Sequence, residues 1–327
     1  MMDYLLDVAK PLGDLFVMFS GDAGSSYDYS LEEIPFVLTN AFLVRNLSRA
    51  HKRALRTAYG KIKGRVIRWF ASYSPVELEE KFRSLGLSPG DAVMMHSSFH
   101  SFTGFQGSPK DVIDCLLNVV GPQGHLFMMS LAYTSSSYDY LMQKKLFDIR
   151  RTVSRMGIIS EAFRRRKHVL RSANPLHPVL AWGPKARWVV SGHGQLLYSC
   201  GPGSPFEKML ELNTKILFFN IAFECCTFEH YLEDRFKDSA PLPVYHPNPL
   251  EAVLIDEEGE KKRVKTYVFA PEAGRRRNSS VLKEALSRGG FLKQDRIGNT
   301  KLMIVKTTDL LKCATEFVDQ GAHLYKD

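Results

Sequence analysis

The 327-residue chain lacks most of the short patterns that assign a function on their own. It has no phosphate loop ending in Gly-Lys-Ser/Thr, and Gly201-x-Gly203 is without the third glycine of a dinucleotide fingerprint, so neither common nucleotide fold is expected. There is no His-Glu-x-x-His. Five cysteines, at positions 115, 200, 225, 226 and 313, are too sparse for a disulfide scaffold and show no Cys-x-x-Cys spacing. A reducing compartment follows, with Cys225 and Cys226 expected as core thiols. Those two with His230 would leave a zinc site one ligand short, so no metal is expected. A thiol nucleophile would need exposure and a depressed pKa, which nothing in the sequence supplies. The first seven residues have no basic start, and Asp7, Lys10 and Asp14 interrupt any apolar span. A cytoplasmic location without secretion or membrane crossing is the expectation.

A hydrophobic content of 44 % suits a folded globular protein. The formal net charge is +9, and residues 45–69 hold nine Lys or Arg and no acid, which equals the whole excess. Within and just before that segment Leu43, Leu47, Ala50, Ala54, Ala58, Ile62 and Val66 recur near helical spacing, a basic amphipathic helix weakened by Gly60 and Gly64. It reads either as a helix with a solvated basic face or as a peripheral patch for anionic membrane or another acidic partner. Nucleic acid is not an expected partner, since base-stacking aromatics or a reading motif are missing. Ser74-Pro75, followed by Glu77, Glu79 and Glu80, marks a helix start and the boundary between an N-terminal extension, 1–74, and a main domain, 75–327.

From there helix and strand patterns alternate. Residues 92–95 read as a buried strand entering His96-Ser97-Ser98 and a loop with Gly104 and Gly107; 110–120 reads as a helix and 126–129 as a second strand. Residues 133–140 are polar and Ser-rich and read as a surface loop. A helix over 157–167 ends in Arg164-Arg165-Arg166-Lys167, either a phosphate site or a solvated basic end. Residues 215–220 form another buried strand, 252–255 and 264–268 a hairpin, and 308–319 a closing helix. The alternation argues for an α/β domain with its site at strand ends.

After the strand at 215–220 comes Thr227-Phe228-Glu229-His230-Tyr231-Leu232-Glu233. Residues three apart share a helix face, so Glu233 can hold and charge-balance the His230 imidazole. Spacing alone also describes an ordinary surface pair.

The order of motifs resembles the family of aminoglycoside 3-N-acetyltransferases over about residues 75–245. It is carried by His96-Ser97-Ser98, Gly104 with Gly107, Val120-Gly121-Pro122-Gln123-Gly124, Phe147-Asp148, Met156-Gly157, Glu161-Ala162-Phe163-Arg164, Arg171-Ser172, Pro175-Leu176-His177, Gly201-Pro202-Gly203-Ser204-Pro205-Phe206 and the Thr227 to Glu233 run. The resemblance implies a three-layer α/β/α sandwich with a central sheet, to which the sequence adds an N-terminal helical extension. It also implies acetyl transfer from acetyl-CoA to an amine. By it, His230 would be the general base, Glu233 its support, and Thr227 an oxyanion donor beside Ser97 or Ser98. His96, Ser97, Ser98, Gly104, Gly107, Arg171 and Ser172 would face CoA, while Asp148 and His177 would line the amine side.

The chain departs from the family pattern at Asn174-Pro175-Leu176-His177-Pro178, where His-Pro-x-His-Ser is usual, at Ser108, and at Met128-Met129. These changes fall on turns that line the pocket. A polycationic acceptor would favour an acidic groove, whereas residues 133–140 hold one acid, Asp139, and the basic segment is near in sequence, so a less cationic amino sugar, nucleotide-linked or part of a surface polysaccharide, is the expected small-molecule or glycan acceptor. An aminoglycoside antibiotic is the alternative, and a non-catalytic sugar- or CoA-binding protein is the reading from another class.

Overall fold

Ser74 opens α1 (Pro75–Ser84) with a capping box: its hydroxyl accepts from the Glu77 amide, and the Glu77 carboxylate accepts from the Ser74 amide. Ser108 and Asp111 repeat the device at α2 (Pro109–Val120). Between them lies β1 (Ala92–Ser97), and β2 (His125–Met129) follows α2. A computed structural model describes residues 69–99 and 104–326, with positions 48, 64 and 67 besides. The expected basic helix of residues 45–69 lies almost wholly outside the described residues. The unit treated below spans Phe70–Asp327.

The middle of the chain adds α3 (Ser137–Met142), β3 (Leu146–Asp148), α4 (Ile158–Arg164), β4 (Leu170–Arg171), β5 (Val179–Trp182), α5 (Ala186–Val190), α6 (Pro205–Glu211) and β6 (Lys215–Phe219). The last third adds α7 (Glu229–Arg235), the hairpin β7 (Leu250–Ile255) and β8 (Lys261–Thr266), α8 (Pro271–Arg276), α9 (Ser279–Arg288), β9 (Lys293–Ile297), β10 (Thr300–Lys306) and α10 (Thr307–Asp319). Seven strands make one sheet in the order β4-β5-β2-β1-β6-β10-β9, parallel through β2, β1 and β6 and antiparallel outside them. β3 joins the hairpin in a second, three-stranded sheet.

The central strands read as apolar runs because both of their faces are covered. Met94, Phe127, Ile216 and Phe218 point into one core, with α5, α6, α7, α9 and α10. Their neighbours Val93, Met95, Leu126, Leu217 and Phe219 point into the other, with α1, α2 and α4. Helices on both faces of one sheet give the expected three-layer sandwich. Each fully buried Phe or Leu in these layers contributes roughly 1.5–3 kcal/mol. Among the described residues no helix is long and apolar enough to cross a membrane.

Two local expectations are corrected. Residues 133–140 are not simply a surface loop: Ser136 caps α3, Tyr140 is buried, its ring stacks on Tyr133 at 4.6 Å, and the Tyr133 hydroxyl donates to the Leu176 carbonyl. Aromatic burial overrides the polar composition there. The Arg164 to Arg166 run is engaged in ion pairs, Arg164 and Arg165 with Glu161 and Arg166 with Asp114.

α7 packs on the start of α9 through a buried acid. The Ser279 hydroxyl donates to Glu229 Oε2 at 2.6 Å, while Oε1 is buried without a partner. Burial pushes the Glu229 carboxyl up to about 8, against the Ser279 bond and the nearby Arg277 charge, so the group is neutral at pH 7. Its stabilising contribution is complete below the ordinary carboxyl value of 4.5 and is lost as pH rises through about 8, where the folded chain must ionise a buried group. Glu229→Gln should therefore be more stable relative to wild type as pH rises from about 5 to about 8. Thermal melting across that range checks this, and parallel curves for the two proteins would remove the neutral carboxyl.

Candidate active site

β6 ends at Phe219, and a short turn over Phe223–Cys225 carries the chain into α7. Because β1 lies beside β6 with His96 opposite Phe218, the same sheet edge receives His96, Ser97 and Ser98 from one strand and the α7 residues from the next. Such an edge, at the carboxyl ends of parallel strands, is where open α/β sheets bind ligands.

On α7 the expected pair forms. His230 Nδ1 lies 2.8 Å from Glu233 Oε2, and the Glu233 side chain is 1 % exposed against 18 % for His230. Two residues absent from the sequence reading complete the arrangement. Arg277 donates Nε–H to Glu233 Oε1 at 3.0 Å and Nη2–H to Oε2 at 2.9 Å, and Tyr325 donates its hydroxyl to Oε1 at 3.1 Å. Burial pushes the Glu233 carboxyl up, but the His230 hydrogen bond and the Arg277 charge outweigh it and hold the group at about 2. An ionised carboxylate only accepts, so the Nδ1 proton of His230 points at Glu233. Nε2 then carries the lone pair and makes no hydrogen bond among the described residues.

Around the imidazole, Phe269 stacks at 4.4 Å and the His177 ring lies 5.1 Å away. His177 is buried, and burial first, then the nearby Arg277 charge, holds it well below the ordinary histidine range. Its Nδ1 lies 2.7 Å from the Ser199 hydroxyl. Asn174 sets this turn: its Oδ1 accepts from the amides of Leu176 and His177, both at 2.9 Å. Thr227, one turn before His230, has a buried hydroxyl with no partner among the described residues.

Not every expected residue joins this group. Arg171 and Ser172 do not face a cofactor surface. The Arg171 guanidinium is buried on the Phe147 ring and donates to the carbonyls of Ser130, Ile149 and Thr152, with burial pressing it down to about 9. Ser172 accepts from the Val179 amide and donates to His193, whose Nε2–H donates to the Ser199 carbonyl. Asp148 spends its carboxylate on the amides of Arg150 and Arg151, closing a turn beside β3. Gly104 is fixed by packing, since a Cβ there would lie 1.8 Å from the Ala71 carbonyl oxygen, and Gly107 makes room for the Phe105 ring. Gly201 likewise leaves space for the Asp234 carboxylate.

His96 is buried and stacked on Phe218 at 5.5 Å, pressed down to about 4 by burial, with Nε2 unpartnered among the described residues. Ser97 and Ser98 are half-buried beside it. Of the paired thiols, Cys226 is buried as expected and burial raises it well above the ordinary thiol value, which disfavours a thiolate there, but Cys225 is exposed. A cavity of about 600 Å³ opens between residues 192–195 and the β7–β8 hairpin, away from the His230 side chain.

Residues 94–319 match the family model for aminoglycoside 3-N-acetyltransferase. The chain is 24 % identical over 259 residues to aminoglycoside N(3)-acetyltransferase III of Pseudomonas aeruginosa, covering 76 % of this chain and 94 % of the relative. It is 29 % identical over 158 residues to aminoglycoside N(3)-acetyltransferase IV of a Salmonella species, covering 48 % of this chain and only 57 % of that relative. Among solved structures it shares the fold of AAC-IIIb in a binary complex with CoASH, at a TM-score of 0.65 and 20 % identity, over 79 % of this chain and all of that one. With the family model spanning more than half of its length, the chain belongs to the aminoglycoside 3-N-acetyltransferase family of acyltransferases.

Proposed function

We propose that the protein transfers acetyl from acetyl-CoA to the amine of an amino sugar, with His230 as general base. The observation that carries this reading is the His230 imidazole, anchored through Nδ1 to an ionised Glu233, with Nε2 making no hydrogen bond among the described residues. The amine nitrogen attacks the thioester carbonyl carbon while Nε2 takes its proton. The carbonyl oxygen becomes an oxyanion, and the Thr227 hydroxyl, buried without a partner, is a donor that gains a bond only when that charge develops. Collapse of the adduct breaks the carbon–sulfur bond, and the imidazolium returns its proton to the departing thiolate. The residues at the sheet edge suit the thioester arm of acetyl-CoA: the unpartnered His96 Nε2 and the half-buried Ser97 and Ser98 offer polar groups to its amides.

The relatives are named for aminoglycosides, and an aminoglycoside amine is one acceptor within this reading. The charges on α7 favour a less cationic amino sugar. Polycations are drawn to uncompensated acids. Here Glu229 is neutral, Glu233 is paired with Arg277, and Asp234 is bonded by Lys237 and Tyr245. Assays of CoA release with gentamicin-type and kanamycin-type compounds against nucleotide-linked amino sugars separate the two acceptors.

His230→Gln should lower acetyl transfer by about 10²–10⁴-fold with acetyl-CoA binding retained in calorimetry. Undiminished turnover in this variant would remove His230 as the base, and a wild type that binds acetyl-CoA yet acetylates none of the panel would be a binding protein. Thr227→Val should lower kcat by about 10² with little change in KM, and Thr227→Ser should restore most of it. Equal rates for Val and Ser would place the hydroxyl outside the reaction.

A further inference from the structure

We infer that Arg277 is the positioning residue of the pair: its fork fixes Glu233 through both oxygens, and its charge, 3.2 Å from His230 Nδ1, keeps the imidazole neutral with its Nε2 lone pair ready. The inference rests on the proposed role of His230 as base. A histidine beside a lone carboxylate is drawn towards the imidazolium, because the anion stabilises the positive ring. Such a ring is already protonated and cannot take a proton from an amine. Arg277 removes that pull. The negative charge of Glu233 is compensated before the imidazole titrates, and a second cation at His230 would lie against the guanidinium.

The Glu233 carboxylate, which only accepts, fixes the proton on Nδ1. Arginine only donates, so when Nδ1 donates to Glu233 the two nitrogens are neighbouring donors on one carboxylate rather than partners of each other. Among the described residues, the buried titratable groups near the pair are uncharged, and burial raises the Cys200 thiol well above its ordinary value. His177, from the turn before β5, is held uncharged by burial; Glu229, on α7 itself, is neutral; and the Tyr325 phenol is pushed up by burial and by Glu233. Burial and then Arg277 lower the affinity of His230 for a proton, against the opposing effect of Glu233.

The fold holds Arg277 from outside the catalytic helix. It sits between α8 and α9, bridged through its backbone to Tyr325, with the Asn278 amide donating to the Leu324 carbonyl at 2.9 Å and the Lys326 amide donating to the Arg276 carbonyl at 2.6 Å. The C-terminal segment thus grips the arginine backbone while its Tyr325 hydroxyl binds the same carboxylate. A lysine would keep the charge but lose the two-pronged geometry.

Histidine-selective nitrogen-15 and carbon-13 NMR of the full chain tests this, with His230→Gln identifying the resonance. At neutral pH the wild-type ring should be the tautomer protonated on Nδ1. In Arg277→Gln the His230 titration should move to higher pH, and the acid limb of kcat/KM should move with it. Arg277→Lys should hold the titration near wild type while kcat falls. A wild-type ring protonated on Nε2, or a titration unchanged in folded Arg277→Gln, overturns the inference. If Arg277→Gln does not fold, Arg277→Lys decides the matter, since an unchanged kcat in that variant overturns the inference. Because the NMR readout needs no acceptor, failure of the base reading shows separately, as retained turnover in His230→Gln.

Discussion

A carboxylate withdrawn from water must be matched by donors, and the Glu233 carboxylate is matched from three directions at once. His230 binds it from its own helix, Arg277 from a segment 44 residues on, and Tyr325 from one 92 residues on. Removing one partner of a buried ion pair typically costs about 3–5 kcal/mol, because the charge left behind is uncompensated. The position of α7 at the end of β6, the path of the chain between α8 and α9, and the seat of the C-terminal segment are therefore one linked condition. If Arg277 shifts, Glu233 and the ring it orients shift with it.

The sheet supplies the other half of the constraint. β1 and β6 are adjacent and parallel, with faces divided residue by residue between two cores, so neither strand can slip in register without turning its apolar side chains to the wrong layer. That rigidity places the His96 to Ser98 segment and the Thr227 to Glu233 segment at one edge. The two come from chain positions some 130 residues apart, yet their relation is set by one strand pairing.

Much of this was legible in the sequence, and the limit has a physical origin. Apolar runs at 92–95, 126–129 and 215–220 are read correctly as central strands because burial on both faces leaves no other composition. The His230 and Glu233 pair is legible because both residues lie on one helical turn, where spacing is geometry. Arg277 and Tyr325 carry no local signal: each looks like an ordinary residue, and only the tertiary fold brings them to the carboxylate. Arg171 shows the opposite failure. The family resemblance implies that Arg171 and Ser172 face CoA, but the Arg171 guanidinium is consumed by three backbone carbonyls that a sequence does not reveal. Residues 133–140 mislead in the same way, since two tyrosines and a capping serine outweigh the surrounding polar residues.

The three acids of α7 show how similar groups take different roles from their surroundings. Glu229 has a hydroxyl for a partner and stays protonated; Glu233 has a guanidinium and stays ionised; Asp234 is bonded by a phenol and an ammonium. For a base of the proposed kind this distribution matters more than the number of acids. An ionised neighbour without a counter-charge would draw the imidazole into its protonated form, while a neutral neighbour could not orient it. Glu233 with Arg277 meets both demands, fixing the ring through a full negative charge whose electrostatic pull the arginine has already offset. On the proposed reading, an acceptor approaching such a helix meets little uncompensated negative charge, and the Phe269 ring against His230 offers it an apolar surface instead.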